Sequence, residues 1–351
     1  MKAKPSSRAP IVINGVSIAP GERQSLEIRV AQLYTQTPLS IPVQVLHGRR
    51  EGPVLLVCAA IHGDELNGVE IIRRLLSMSS IRRLRGTLIA VPIVNVFGFI
   101  QQTRYLPDRR DLNRCFPGSE KGSLGARMAH LFKKEIIDKV SHIIDLHTGA
   151  IHRSNLPQVR ACLDHPVTEQ MARAFGVPVI LNAALRDGSL RSIAEAAEIP
   201  VITYEAGEAL RFDELSIQAG VRGVMSVMRE LGMLSKTRRL HREHVPVIAK
   251  TSSWVRAEVD GVMRPLVALG SRVRKGDHLA IISDPFGMRE QPVTSPYNGI
   301  VIGRVNIPLV NEGEALFHIA RFQEIEEAEK GVQKFTAGML QDPDGELNSF
   351  D

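Results

Sequence analysis

The chain has 351 residues, 44% hydrophobic and 23% charged, which fits a water-soluble globular protein long enough for two domains. It contains no stretch long and apolar enough to span a bilayer and no apolar signal region, so a membrane partner is excluded and a cytoplasmic protein is expected. The net charge is +6, but 5% aromatic content and short, scattered arginine groups argue against a nucleic-acid partner.

The charge is uneven. Eight acids and two lysines between Glu324 and Asp351 give −6, leaving +12 on the rest. A basic mouth that attracts a carboxylate substrate accounts for part of that excess. The three cysteines, Cys58, Cys115 and Cys162, are odd in number and far apart. A disulfide framework is therefore not expected, and a reducing compartment is.

Residues 11 to about 47 read as short strands with turns. Asn14-Gly15 is a hairpin signal, and Ile41, Val43 and Val45 alternate around Pro42, which suits a sheet edge. From Pro53 to about Leu234, strands and helices alternate. Strands are predicted at 54–60, 87–93, 142–147, 178–182 and 200–204. Helices are predicted at 65–78, 122–140, 166–176, 189–198 and 213–234. This pattern predicts an α/β fold, with a mixed, mostly parallel central sheet flanked by helices. Ligands bind such sheets at the carboxyl ends of the strands.

From 245 to 321 only short strands and turns are visible, predicting a smaller C-terminal all-β, barrel-like domain. Its halves resemble each other, with Gly261 to Gly276 and Gly299 to Gly313 spaced by 15 and 14 residues. The pattern is similar to a lipoyl- or biotinyl-type hairpin repeat. No lysine occurs between Lys275 and Lys330, so a barrel without a carried prosthetic group is expected. The domains are drawn at 1–243 and 244–325, with a disordered acidic tail expected over 336–351.

The chemistry concentrates at the ends of the apolar runs. His62-Gly63-Asp64-Glu65 follows Val54–Ile61, and Asp145-Leu146-His147 follows Ile143-Ile144. Two imidazoles and one carboxylate are the ligand set of a catalytic zinc with an open position. A lone H-x-x-E is a weak signal, and His147 alone reads as structural; the combination carries the argument. Asp64 and Asp145 flank these residues and either orient the imidazoles or cap local turns.

Asp111-Leu112-Asn113-Arg114 offers a planar guanidinium fork and a directional amide for a substrate carboxylate. Arg104 and Arg110 are candidates for stabilising an oxyanion. Glu205 ends the strand-like Val201–Tyr204 and could shuttle a proton as a general base, or be a solvated strand-end acid. His152 is either a pocket-lining residue that helps select the substrate or part of a connecting loop.

His62-x-x-Glu65, Asn95, Asp111-Leu112-Asn113-Arg114, Asp145-Leu146-His147 and Glu205-Ala206-Gly207 occur in the order seen in the succinylglutamate desuccinylase/aspartoacylase family, which is related to the zinc carboxypeptidases. The resemblance covers about residues 50–235, and the C-terminal barrel resembles the extra β-domain of these proteins. It implies one zinc per chain held by His62, Glu65 and His147. It also implies a general base at Glu205 and carboxylate recognition by Asn113 and Arg114. One departure concerns the oxyanion arginine, which in aspartoacylase-like sequences lies closer to the Asn-Arg pair than Arg104 does. Arg104 matches by context and is ranked first; Arg110 is nearer in position.

The expected activity is zinc-dependent hydrolysis of the amide bond in a small N-acyl amino acid: an N-succinyl, N-acetyl or related acyl group on an acidic or diamino acid. The alternatives are a metallocarboxypeptidase acting on a short peptide and a catalytically inactive binding protein. The expected partner is the small-molecule substrate, and a homo-oligomer remains open.

Overall fold

A computed structural model of the chain describes residues 8–235 and 245–341. The expected boundary at 243/244 lies outside the described residues. The fold is built on one large mixed sheet. In spatial order its main path runs Arg23–Gln32, Pro38–His47, Thr87–Val91, Val54–Ala59, His142–Gly149, Val201–Glu208, Arg153–Ala161, Gly299–Val305, Ala315–Arg321 and Thr251–Arg256. The strands carrying the predicted site are parallel neighbours: Val54–Ala59 pairs with His142–Gly149, which pairs with Val201–Glu208.

Alternation along the strands divides two cores. Leu55, Val57 and Ala59 face one side with Ile144 and Leu146. Helices Asn67–Ser77, Pro166–Phe175 and Glu214–Glu230 cover that side with Ile71, Ile72, Met171, Phe175, Val221 and Val224. Leu56 and Cys58 face the other side with Ile143, covered by Met128 and Phe132 of helix Leu124–Glu135 and by Leu190 and Ala194 of helix Leu190–Ala196. This two-faced burial is why the strands read as near-continuous apolar runs.

The helix starts follow local chemistry. The Ser123 hydroxyl accepts from Ala126 N–H, and the Asp213 carboxylate accepts from Ser216 N–H, satisfying otherwise unpaired first-turn donors. Pro166 opens its helix, and Gly176 ends it at a φ of 82°, which glycine adopts without a Cβ clash. The helix expected over 122–140 stops at Glu135 and continues as a 3-10 turn over Ile137–Lys139.

The C-terminal strands show a reciprocal pairing. Gly261–Pro265 pairs with His278–Ser283 of its own half and with Leu309–Val310 of the other. Gly299–Val305 pairs with Ala315–Arg321 of its own half and with Arg272–Val273 of the other. One of the two resulting layers is continuous with the large sheet, because Gly303, Arg304 and Val305 pair with Asn155, Ser154 and Arg153.

The expectation of disorder from residue 336 needs correcting. Helix Ile325–Gln341 includes residues 336–341. Ala328, Val332, Phe335 and Met339 are buried on one face of it, a spacing of four, three and four that makes a helical stripe. The remainder of that expected tail, 342–351, lies outside the described residues. The described cysteines are all free, and among the described residues no helix is long and apolar enough to cross a membrane.

Candidate active site

His62, Glu65 and His147 converge. Their ligand atoms lie within 4.8 Å of one another, and all three side chains are buried. His62 Nδ1 is 2.7 Å from Glu65 Oε1, and His147 Nδ1 is 2.8 Å from Glu65 Oε2. Each imidazole is gripped from behind: His62 Nε2 is 3.2 Å from Asp111 Oδ1, and His147 Nε2 is 2.8 Å from Asp145 Oδ2. Carboxylates on both far nitrogens turn both near nitrogens into the site, the arrangement typical of metal-ligating histidines. Asp145 takes the orienting position that the sequence suggested, and Asp111 takes the one offered to Asp64. Asp64 is buried with Oδ1 unpartnered.

Charge follows this geometry. Burial opposes a charged imidazole in both His62 and His147. Glu65 outweighs it at His62, and Asp145 and Glu65 do so at His147, so both pKa values rise above the ordinary range. Burial opposes the charged form of Glu65 as well, but the two imidazoles hold its pKa far below the usual carboxylate range. The same holds for Asp111 between His62 and Arg104. Two imidazoles and one ionised carboxylate, each backed by a fixed partner, fit a zinc ion.

These groups line a cavity of about 260 Å³ together with Arg104, Asn113, Arg114 and Glu205. The Arg104 guanidinium donates to Asp111 Oδ2 at 2.8 Å and lies 3.4 Å from Glu65 Oε1. Asn113 Oδ1 accepts from Leu190 N–H at 2.8 Å, so its amide N–H groups remain to serve the cavity. Burial, with Arg186 and Arg104 nearby and Asp111 opposing, lowers the Arg114 pKa.

Glu205 sits where the strand registers on both sides break. Its pairing with Arg153–Ala161 shifts between Glu205 and Gly207, and its pairing with His142–Gly149 shifts between Glu205 and Glu208. Such bulges re-aim side chains beside active sites. Glu205 Oε2 accepts from Asn155 Nδ2 at 3.0 Å, and Oε1 lies 3.1 Å from Arg160 Nε.

Two predicted residues are not among the lining groups. Arg110 is largely exposed and lies 3.7 Å from Asp108. His152 occupies a turn at a φ of 63°, where its N–H donates to Glu208. The neighbouring segment is not a connecting loop but the strand Arg153–Ala161, which delivers Arg153, Asn155 and Arg160 to the cavity. Arg186, Arg191 and Trp254 complete the wall that the sequence reading did not assign. Trp254 comes from the C-terminal strands. Its ring stacks on His318 at 4.7 Å and 8°, and Arg153 lies over it at 5.3 Å.

Comparison with known proteins agrees with this geometry. The deacetylase of N-alpha-acetyl-L-2,4-diaminobutyric acid from Halomonas elongata is 26% identical over 297 residues, covering 81% of this chain and 86% of that protein. The crystal structure of a succinylglutamate desuccinylase/aspartoacylase from Rhodobacter sphaeroides superposes with a TM-score of 0.78 at 24% identity, covering 86% of this chain and 96% of that one. The product-bound ectoine utilization protein EutE (DoeB) from Ruegeria pomeroyi gives a TM-score of 0.77 at 23% identity, covering 91% and 98%. The model of the succinylglutamate desuccinylase/aspartoacylase catalytic domain matches residues 51–231, and the chain belongs to that family.

Proposed function

We propose that this protein is a zinc-dependent amidohydrolase that removes the acyl group from a small N-acyl amino acid. The observation that carries the reading is the convergence of His62, Glu65 and His147 with Glu205, Arg104, Asn113 and Arg114 in one cavity. The curated relative's action on an acetylated diamino acid supports the reaction class.

His62, Glu65 and His147 would hold the zinc, which when bound supplies Lewis acidity for the carbonyl and acidifies a water. Glu205 takes the proton from water as the water oxygen bonds to the acyl carbon. It then delivers that proton to the amine nitrogen as the C–N bond breaks, leaving a free amino acid and the released carboxylic acid. The Arg104 guanidinium, held by Asp111, stabilises the developing oxyanion. Asn113 and Arg114 hold a substrate carboxylate throughout.

The test pairs metal analysis with a substrate panel. Purified protein is expected to carry about one zinc per chain and to release free amine from N-acetyl or N-succinyl amino acids while leaving short peptides intact. Protein fully loaded with zinc that hydrolyses none of the panel would overturn the reading, and cleavage confined to peptides would turn it into a carboxypeptidase.

A further inference from the structure

Six arginines line the cavity: Arg104, Arg114, Arg153, Arg160, Arg186 and Arg191. Three carboxylates line it, and all are engaged: Glu65 and Asp145 by the imidazoles, and Glu205 by Asn155 and Arg160. Arg104 is matched by Asp111. Among the described residues, Arg114, Arg153, Arg186 and Arg191 have no carboxylate in ion-pair reach. A site with this balance attracts more negative charge than one carboxylate brings.

The cations around Glu205 show where the second charge goes. Arg191 lies near enough to Arg160 and Arg186 for the cations to act on one another, and burial together with Arg160 lowers its pKa. Its Nη2 donates to Ala184 O at 2.7 Å, while its buried Nη1 has no hydrogen-bond partner. Arg160 is similar: its Nε is 3.1 Å from Glu205 Oε1, yet it has no hydrogen-bond partner, so the pair is close without being aligned. An unaligned, partly exposed ion pair contributes little and exchanges readily. A ligand carboxylate that can take a guanidinium fork in two parallel hydrogen bonds competes well against it.

We infer that the substrate is an N-acyl amino acid with a second acidic group, and that this group draws Arg160 off Glu205 as it binds beside Arg191. The inference rests on the deacylase reading and deepens it. In the free enzyme, Arg160 occupies the Glu205 oxygen that has to receive the proton, while Asn155 fixes the other. A second substrate carboxylate takes the guanidinium, leaves Oε1 open toward water, and keeps Oε2 in place through Asn155. Acidic substrates are thereby selected in the chemical step as well as in binding. A substrate with a side-chain amine, such as the diamino acid of the Halomonas elongata relative, meets only unpaired cations at this wall.

The experiment uses the zinc-loaded enzyme with two isosteric pairs: N-acetyl-L-aspartate against N-acetyl-L-asparagine, and N-acetyl-L-glutamate against N-acetyl-L-glutamine. In the wild type the acid of each pair is expected to be favoured in kcat by about 10–100-fold, part of the roughly 10²–10⁴ that a positioned base contributes. In Arg160→Gln, Glu205 is open to every substrate, so the two kcat values in each pair converge while KM for the acid rises. Arg160→Lys keeps the cation without the fork and should retain the kcat preference with a weaker KM; it serves if Arg160→Gln fails to fold. A merely structural Arg160 would lower kcat for acid and amide alike, and that result overturns the inference. So does discrimination in KM alone, or turnover confined to N-acetyl-2,4-diaminobutyrate; both leave the deacylase reading standing. Wild-type enzyme that cleaves no N-acyl amino acid overturns both.

Discussion

Asp111 Oδ1 lies 3.2 Å from His62 Nε2, while Asp111 Oδ2 accepts from Nε and Nη2 of Arg104. One carboxylate thus sets the orientation of an imidazole on one loop and a guanidinium on another. At His147 the corresponding partner is Asp145. Asp145→Asn preserves shape and removes the charge behind the ring, and zinc affinity is expected to fall about 10–100-fold. Asp111→Asn should produce the same fall and also loosen Arg104, lowering kcat further. Competition with a chromogenic chelator measures the first effect, and steady-state kinetics at saturating zinc measures the second. Affinity unchanged in both variants would mean that neither carboxylate orients a ligand.

Glu205→Gln keeps the Asn155 contact geometry and removes the proton acceptor. Zinc content is expected to stay at the wild-type level while kcat drops about 10²–10⁴-fold. Elemental analysis and turnover on the same sample separate the two. Wild-type kcat in this variant would remove the proton-shuttle role.

Much of this architecture can be read from residues. The strands ending at His62 and His147 are apolar on both faces, and Ser123 and Asp213 mark their helix starts. The strand Arg153–Ala161 was hidden by Pro157, since a proline without an N–H normally argues against an interior strand. The structure accommodates it beside the register break between Glu205 and Gly207. With that strand unread, Asn155 and Arg160 had no reason to be grouped with Glu205, and His152 took their place. Helix Val96–Gln101 is short, and its start depends on the Asn95 side chain accepting from Gly98 N–H at 2.8 Å; six residues give too little periodicity to see. Trp254 reaches the cavity only through pairing across a large sequence separation, which no local pattern reveals.

Gly63 separates two of the three candidate ligands by a tight backbone approach. A Cβ there would come 2.0 Å from Gly98 C and 2.1 Å from Phe99 N. These are main-chain atoms and cannot rotate aside. Gly63→Ala is expected to cost about 1–3 kcal/mol of stability, as overpacking does, and to weaken zinc binding because His62 shifts with the loop. Thermal melting with and without zinc measures both, and a wild-type melting temperature would show that the loop gives way freely.

Burial, reinforced by Arg160, pushes the His318 pKa down to about 3 from an ordinary 6.5. The unfolded chain takes up this proton near pH 6.5 and the folded chain resists it until about pH 3. Stability from the neutral ring is therefore complete above the higher value and is lost progressively as pH falls through that window. His318→Phe keeps a ring against Trp254 and removes the titration. The unfolding free energy of the wild type minus that of the variant should decline steadily on acidification across this range. A difference that stays level with pH would count against a neutral buried imidazole.

The outer edge of strand Arg153–Ala161 is shared, with Arg153 to Asn155 taken by Gly299–Val305 and Gln158 to Ala161 taken by Val179–Asn182. The sheet therefore forks midway along one strand, and the cavity lies in the angle of the fork, with Trp254 on one limb and the segment bearing Arg186 and Arg191 following the other. The opening angle of two hydrogen-bonded limbs, rather than the length of a surface loop, governs how wide a molecule can enter. Changes that respecify the guest can then accumulate on the limbs while the reaction centre at the base of the fork stays untouched.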